Sequence, residues 1–109
     1  MILRRGHLYW AAFDERRPAL VLSPDYRNEY ASDVIVIPIS TVLREAPTQV
    51  RLRRGEGGVS LPSVLKCEQI TTLHRSSVDT RPLGKALSGA RMAEIERAVL
   101  RAIGVPIPL

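Results

Sequence analysis

The sequence holds one cysteine, Cys67, and its two histidines, His7 and His74, stand far apart. A disulfide framework within the chain is therefore excluded, and neither thiols nor imidazoles have the spacing of a metal site, so no metal and no cofactor is expected. Aromatic residues are only 5% of the chain, which leaves the core to aliphatic side chains. The longest apolar stretches, such as Val34 to Ile39, run to five or six residues. Crossing a bilayer takes roughly 20, so no membrane span is expected. Arg4, Arg5 and His7 break up the N-terminus, and Asp14 and Glu15 follow its short apolar run, which is not the pattern of a secretion signal. A cytoplasmic protein is expected. Internal repeats, linkers and low-complexity stretches are missing too, so residues 1–109 read as a single domain.

What is present fits a small globular fold with a polyanionic partner. Hydrophobic residues are 45% and charged residues 25% of the chain, a composition that folds. Sixteen basic against eleven acidic side chains give a net charge of +5, which attracts nucleic acid through counterion release. Fourteen of the sixteen are arginine, whose planar fork suits phosphate. Arg4/Arg5, Arg16/Arg17 and Arg51/Arg53/Arg54 are separate in sequence, so their value depends on whether folding gathers them. A chain of this size gains core by self-association, and the apolar end Val105 to Leu109 needs cover; a dimer is expected.

Residues 7–13 and 19–23 read as paired strands, joined by a tight connection in which Pro18 holds Arg17 extended. Pro24 to Asp33 is polar and turn-rich, and the β-branched run Val34 to Ile37 predicts a strand buried on both faces. Pro38 is expected to interrupt it and to aim Ser40 and Thr41 away from the regular sheet. Thr48 to Arg53 alternates, with Val50 and Leu52 inward and Arg51 outward, before a turn at residues 54–58. Ser63 to Leu73 is the longest strand candidate, and a period of two sets Lys66 and Glu68 on one face. Ser88 as N-cap, an apolar stripe at Met92, Ile95, Val99 and Ile103, and Gly104 before Pro106 predict a helix over 89–103. The pattern is mainly β: a small antiparallel barrel-like sheet with a C-terminal helix.

Five blocks in order, Arg5-Gly6-x-x-Tyr9-Trp10, Arg17 to Asp25, Val36 to Thr41, Ser63 to Ile70, and Leu83-Gly84 before the helix, resemble the MazF/PemK family of toxin endoribonucleases. The resemblance implies an SH3-like, CcdB/PemK-like barrel and a homodimer. It also implies metal-independent cleavage of single-stranded RNA at short motifs, and inhibition by a cognate antitoxin. By that resemblance Arg17 matches the catalytic arginine before proline, and Ser40 stands where a threonine is usual, with Thr41 next to it. Glu68 matches an acidic position used by some relatives as a base, and Lys66 a basic one; an arginine common in the family is Thr71 here. The loop that relatives carry between Asp14 and the Arg-Pro block is almost missing.

Cleaving RNA through its 2′-hydroxyl needs a base, cations to stabilise the phosphorane, and a proton for the departing 5′ oxygen. Arg17 suits charge stabilisation, Glu68 the base, and Ser40 and Thr41 positioning, since no histidine stands ready to make either hydroxyl a nucleophile. Arg5, Arg16, Arg51, Lys66 and Gln69 are the expected RNA-binding residues. A competing expectation is a non-enzymatic, CcdB-like toxin that binds DNA gyrase, because fold does not fix function.

Overall fold

The computed structural model describes residues 2–109. Strands β1 (Leu8–Ala12) and β2 (Arg16–Val21) form the opening hairpin, with Leu8 opposite Leu20 and Ala12 opposite Arg16. The polar stretch after Pro24 contains a short helix α1 (Asp25–Tyr30), which pins its start to the N-terminal segment: Asp25 accepts the Arg5 N–H at 2.7 Å. Strand β3 (Asp33–Ser40) follows, then β4 (Gln49–Leu52), β5 (Ser63–Lys66), β6 (Thr71–His74) and the C-terminal helix α2 (Gly89–Ala102). The strand order is β1-β2-β3-β5-β4, with β6 also on β3, and the sheet does not close into a full barrel.

β3 runs unbroken through Pro38, contrary to the expectation from sequence, and the irregularity falls on its partner. Ile39 and Ser40 pair with Leu65 and Val64, while Val36 to Asp33 pair with Thr71 to His74. Residues 66–70 therefore lie against only two residues of β3, 37 and 38, and the surplus is taken up by a 3₁₀ turn at Cys67–Gln69. The predicted long strand is one edge partner of β3 with a three-residue insertion, and that odd count breaks its alternation; Lys66 and Glu68 do not share a strand face. The insertion sits where it does for a reason. Leu22 N–H reaches the Ile35 carbonyl at 2.9 Å, so Ile35 faces β2, and by alternation the nitrogen of Pro38 faces the β5/β6 edge. A proline has no N–H to give there, and the insertion asks for none.

Pro18 acts on the other side. Val21 N–H donates to the His7 carbonyl at 3.1 Å, so Val21 faces β1, and by alternation the nitrogen of Pro18 faces β3. The β2–β3 ladder ends at the pair Ala19–Pro38. Beyond it Arg16 to Pro18 stay with β1, Ile39 and Ser40 go with β5, and the two strands part.

Two apolar clusters hold these elements. Leu8, Leu20, Ile37, Leu52, Leu65 and Cys67 meet Ile95 and Ala98 of α2. Tyr9, Ala11, Ala19, Val21, Val34 and Val36 gather with Leu3 and Val78. Ser88 caps α2 as its sequence position suggests, accepting the Arg91 N–H at 3.1 Å. The free edge of β1 is covered by the chain leading to α2: Val78 bridges Ala11, and the N–H groups of Asp79, Leu83 and Leu87 donate to the carbonyls of Trp10, Leu8 and Gly6 at 2.8–2.9 Å.

That covering segment touches the turn before β5 backbone to backbone. Gly58 has φ +97°, and a Cβ there would lie 2.5 Å from the Leu83 carbonyl. Glu56 in the same turn accepts the Arg53 N–H at 2.8 Å and two hydrogen bonds from the Arg91 guanidinium of α2 at 3.0 and 2.8 Å. Arg91 holds the Glu56 carboxyl below its ordinary value. The contribution of this pair is thus present above about pH 4.5 and lost as pH falls through the lowered value. In thermal melts the deficit of Glu56→Gln relative to wild type should be present at pH 7 and shrink towards pH 3; a deficit independent of pH would contradict the assignment. Gly55 has a similar φ, +94°, but open space around it. Gly55→Ala should cost about 1 kcal/mol and Gly58→Ala at least about 2 kcal/mol more in denaturant unfolding, because only the second adds a backbone clash.

Candidate active site

Where β2 and β3 part, a cavity of about 870 Å³ opens. Its walls come from the start of β2 (Arg16, Arg17, Pro18), the end of β3 (Ile39, Ser40, Thr41), the turn before β5 (Gly58 to Leu61), and the segment Asp79 to Leu83 that covers β1. Trp10 of β1 forms part of the rim. This volume lies within the range of small-molecule sites and accommodates a nucleotide.

Three arginines reach the wall, and they differ in how far their charge is already used. Arg16 grips Asp79 through both terminal nitrogens, at 3.3 and 2.9 Å; this raises the pKa of Arg16 and lowers that of Asp79. Arg17 donates from Nη2 to Glu15 Oε1 at 2.9 Å, while its Nε is buried without any hydrogen-bond partner. A buried guanidinium donor left unpaired is costly. Arg81 forms no ion pair among the described residues. Ser40 Oγ accepts the Val42 N–H at 3.0 Å, which fixes the side chain and leaves its own O–H to donate. The cavity wall carries no histidine.

Of the residues expected from sequence, Arg17, Ser40, Thr41 and Arg16 are brought together on this wall, and five are not. Glu68 bonds Gln49 at 2.8 Å and Thr48 at 3.4 Å beside the far end of β5. Lys66 ends β5, three residues or about 10 Å along from Ser63 on the cavity wall. Gln69 lies in the 3₁₀ turn beyond it. Arg51 sits in register with Val64, itself opposite Ser40, so it shares a face of the sheet with Ser40 but stands two strands away, about 10 Å. Arg5 is committed to the fold: its guanidinium bonds the Leu22 carbonyl and Glu96 of α2. Glu68 would be remote even on a continuous strand, because the register of β5 on β3 carried on to residue 68 sets it opposite Val36, four residues from Ser40.

Sequence reasoning passed over Glu15, Asp79, Arg81 and Ser60, which line the cavity. One signal was present for Arg81, which precedes Pro82 as Arg17 precedes Pro18, a position with a restricted backbone. For Asp79 there was none, because only the return of the chain along β1 sets it beside Arg16.

An arginine-rich cleft with fixed hydroxyls, at the split end of an antiparallel sheet, defines a protein that handles a phosphate-bearing chain. The chain belongs to the PemK-like, MazF-like toxins of type II toxin-antitoxin systems, whose family model matches residues 4–103. It is 30% identical over 97 residues to the endoribonuclease MazF3 of Mycobacterium tuberculosis, covering 89% of this chain and 87% of that one. Among solved structures it is similar to the Mycobacterium tuberculosis toxin MazF-mt6, at 25% identity and a TM-score of 0.84, over 93% of this chain and 99% of that one. A mycobacterial endoribonuclease in complex with its cognate antitoxin superposes with a TM-score of 0.83 at 27% identity, over 97% and 99% of the two chains. MazF in the MazE-MazF complex of Deinococcus radiodurans does so with a TM-score of 0.80 at 28% identity, over 95% and 97%. This membership disfavours the CcdB-like alternative.

Cys67, next to Glu68, is fully buried, and burial first, then the nearby carboxylates Glu68 and Glu94, push its thiol up to about 12. Its alkylation by iodoacetamide at pH 8 should therefore follow global unfolding; labelling of the native protein at the rate of a free thiol would contradict this burial.

Proposed function

We propose that this chain is a metal-independent, sequence-specific endoribonuclease toxin that cuts single-stranded RNA by attack of the ribose 2′-hydroxyl on the adjacent phosphorus. The bond to the 5′ oxygen breaks, leaving a 2′,3′-cyclic phosphate and a 5′-hydroxyl. The observation that carries this reading is the meeting of Arg17, Ser40 and Thr41 on one cavity wall. The exposed part of the Arg17 guanidinium donates to a non-bridging phosphate oxygen and stabilises the charge that grows on the phosphorane. The hydroxyls of Ser40 and Thr41 donate to the same phosphate and hold it in line. Arg81 supplies a second cation.

The base on this wall is Glu15 rather than Glu68. Only two carboxylates line the cavity, and Asp79 is held by both terminal nitrogens of Arg16. Glu15 engages Arg17 through Oε1 alone, so Oε2 is free to take the 2′-hydroxyl proton. The departing 5′ oxygen takes its proton from solvent, which the open cleft admits. The protein works as a homodimer in the cytoplasm, where its RNA lies, and a cognate antitoxin with an acidic segment blocks the basic cleft.

Purified protein incubated with long RNA in EDTA should give discrete fragments with 2′,3′-cyclic phosphate ends. Arg17→Ala should lower kcat about 10²–10³-fold, the usual cost of losing one preorganised charge stabiliser. Glu15→Gln should lose about 10²-fold or more, with Glu68→Gln close to wild type. Full cleavage by Arg17→Ala would remove the assigned role, and the reverse ranking of the two glutamates would restore Glu68 as the base. Intact RNA together with inhibited DNA supercoiling would return the gyrase-binding reading.

A further inference from the structure

Arg16 is not placed as a phosphate clamp. Both of its terminal nitrogens are spent on Asp79, and its guanidinium carbon lies 5.6 Å from the centre of the Trp10 ring, within cation–π range. Asp79 is itself fixed to the same strand, its N–H donating to the Trp10 carbonyl at 2.9 Å. Trp10, Arg16 and Asp79 thus form one preorganised unit on the cavity wall. Its charges cancel, it presents flat π surfaces, and it leaves the indole 42% exposed, unusual for the largest apolar side chain in the protein. The other aromatic of β1, Tyr9, is in the core with its hydroxyl bonded to the Arg4 N–H at 2.9 Å. A flat, charge-balanced surface beside a phosphate site fits a nucleobase, since bases stack on indole and guanidinium planes alike.

We propose that the Trp10–Arg16 stack is a base platform, on which the nucleobase next to the scissile phosphate lies and through which the enzyme selects what it cuts. This rests on the ribonuclease reading and deepens it. Trp10 touches the base; Arg16 and Asp79 are positioning residues that hold the stack in one orientation. With only Phe13 to Glu15 between β1 and β2, the opening hairpin is too short to fold over the substrate, so selection falls to the wall itself.

Trp10 is the single tryptophan of the chain, so intrinsic fluorescence reports on the platform directly. Titration with uncleavable 2′-O-methyl oligomers of A, C, G and U should quench its emission saturably, with midpoints differing between bases. With cleavable RNA, Trp10→Ala should raise KM about tenfold or more and relax the cleavage motif at one position, read by sequencing fragment ends. Trp10→Phe should recover most of both. Asp79→Asn should relax the same position and shift the Trp10 emission maximum, which a change in stability alone would not do. An unchanged motif in folded Trp10→Ala, or bound oligomer without quenching, would overturn the platform. A wild-type protein that cuts no RNA would defeat the ribonuclease reading instead, and the fluorescence titration would still decide the stack.

Discussion

The site exists because β2 and β3 cannot stay paired. A strand pair is held by donors offered across the ladder, and at Pro18 the backbone has none to offer towards β3. Pairing therefore stops at Ala19–Pro38; each strand keeps its outer partner, and the sheet splits into the cleft that Arg17 and Ser40 both line. The same proline restrains Arg17 to an extended backbone, so one residue both opens the cavity and presents its principal cation. Pro38 plays the complementary part, tolerating the three-residue insertion on its far side without an unsatisfied N–H.

The cleft keeps its shape through contacts at its floor. The Gly58 turn and the Leu83–Gly84 backbone approach closer than any side chain permits, and Glu56 ties that turn to Arg91 of α2. The helix, far from the reacting atoms, thereby holds one wall of the cavity relative to the sheet. The segment that covers the β1 edge contributes Asp79 and Arg81 as it passes, so protection of an exposed edge and construction of the site are one structural act.

Charge is distributed with the same economy. Among the described residues, seven ion pairs use Arg4, Arg5, Arg16, Arg17, Arg27 and Arg91, and most of these stitch elements together. The net positive charge of the chain is thus a poor guide to which arginines meet RNA. Arg5 resembles a binding residue in sequence and is a structural one, whereas Arg81, without an ion-pair partner among the described residues, lines the cavity.

Local patterns were sufficient for much of this protein. The period of two in residues 49–52, the capped apolar stripe of α2, and the Arg-Pro and Ser-Thr blocks each announce their element or their chemistry, because strand faces, helix caps and proline geometry depend only on near neighbours. Five family blocks in order supplied the fold class as well. What the tertiary structure decided was company. Whether Ser63 to Leu73 is one strand or two turns on how many residues β3 offers opposite it. Whether Arg16 holds a phosphate or a carboxylate turns on where residue 79 returns. Whether Glu68 or Glu15 stands on the cavity wall turns on which strand ends the pairing brings to the split between β2 and β3. Register and edge pairing are relations between distant segments, and no window along a single chain contains both sides of them.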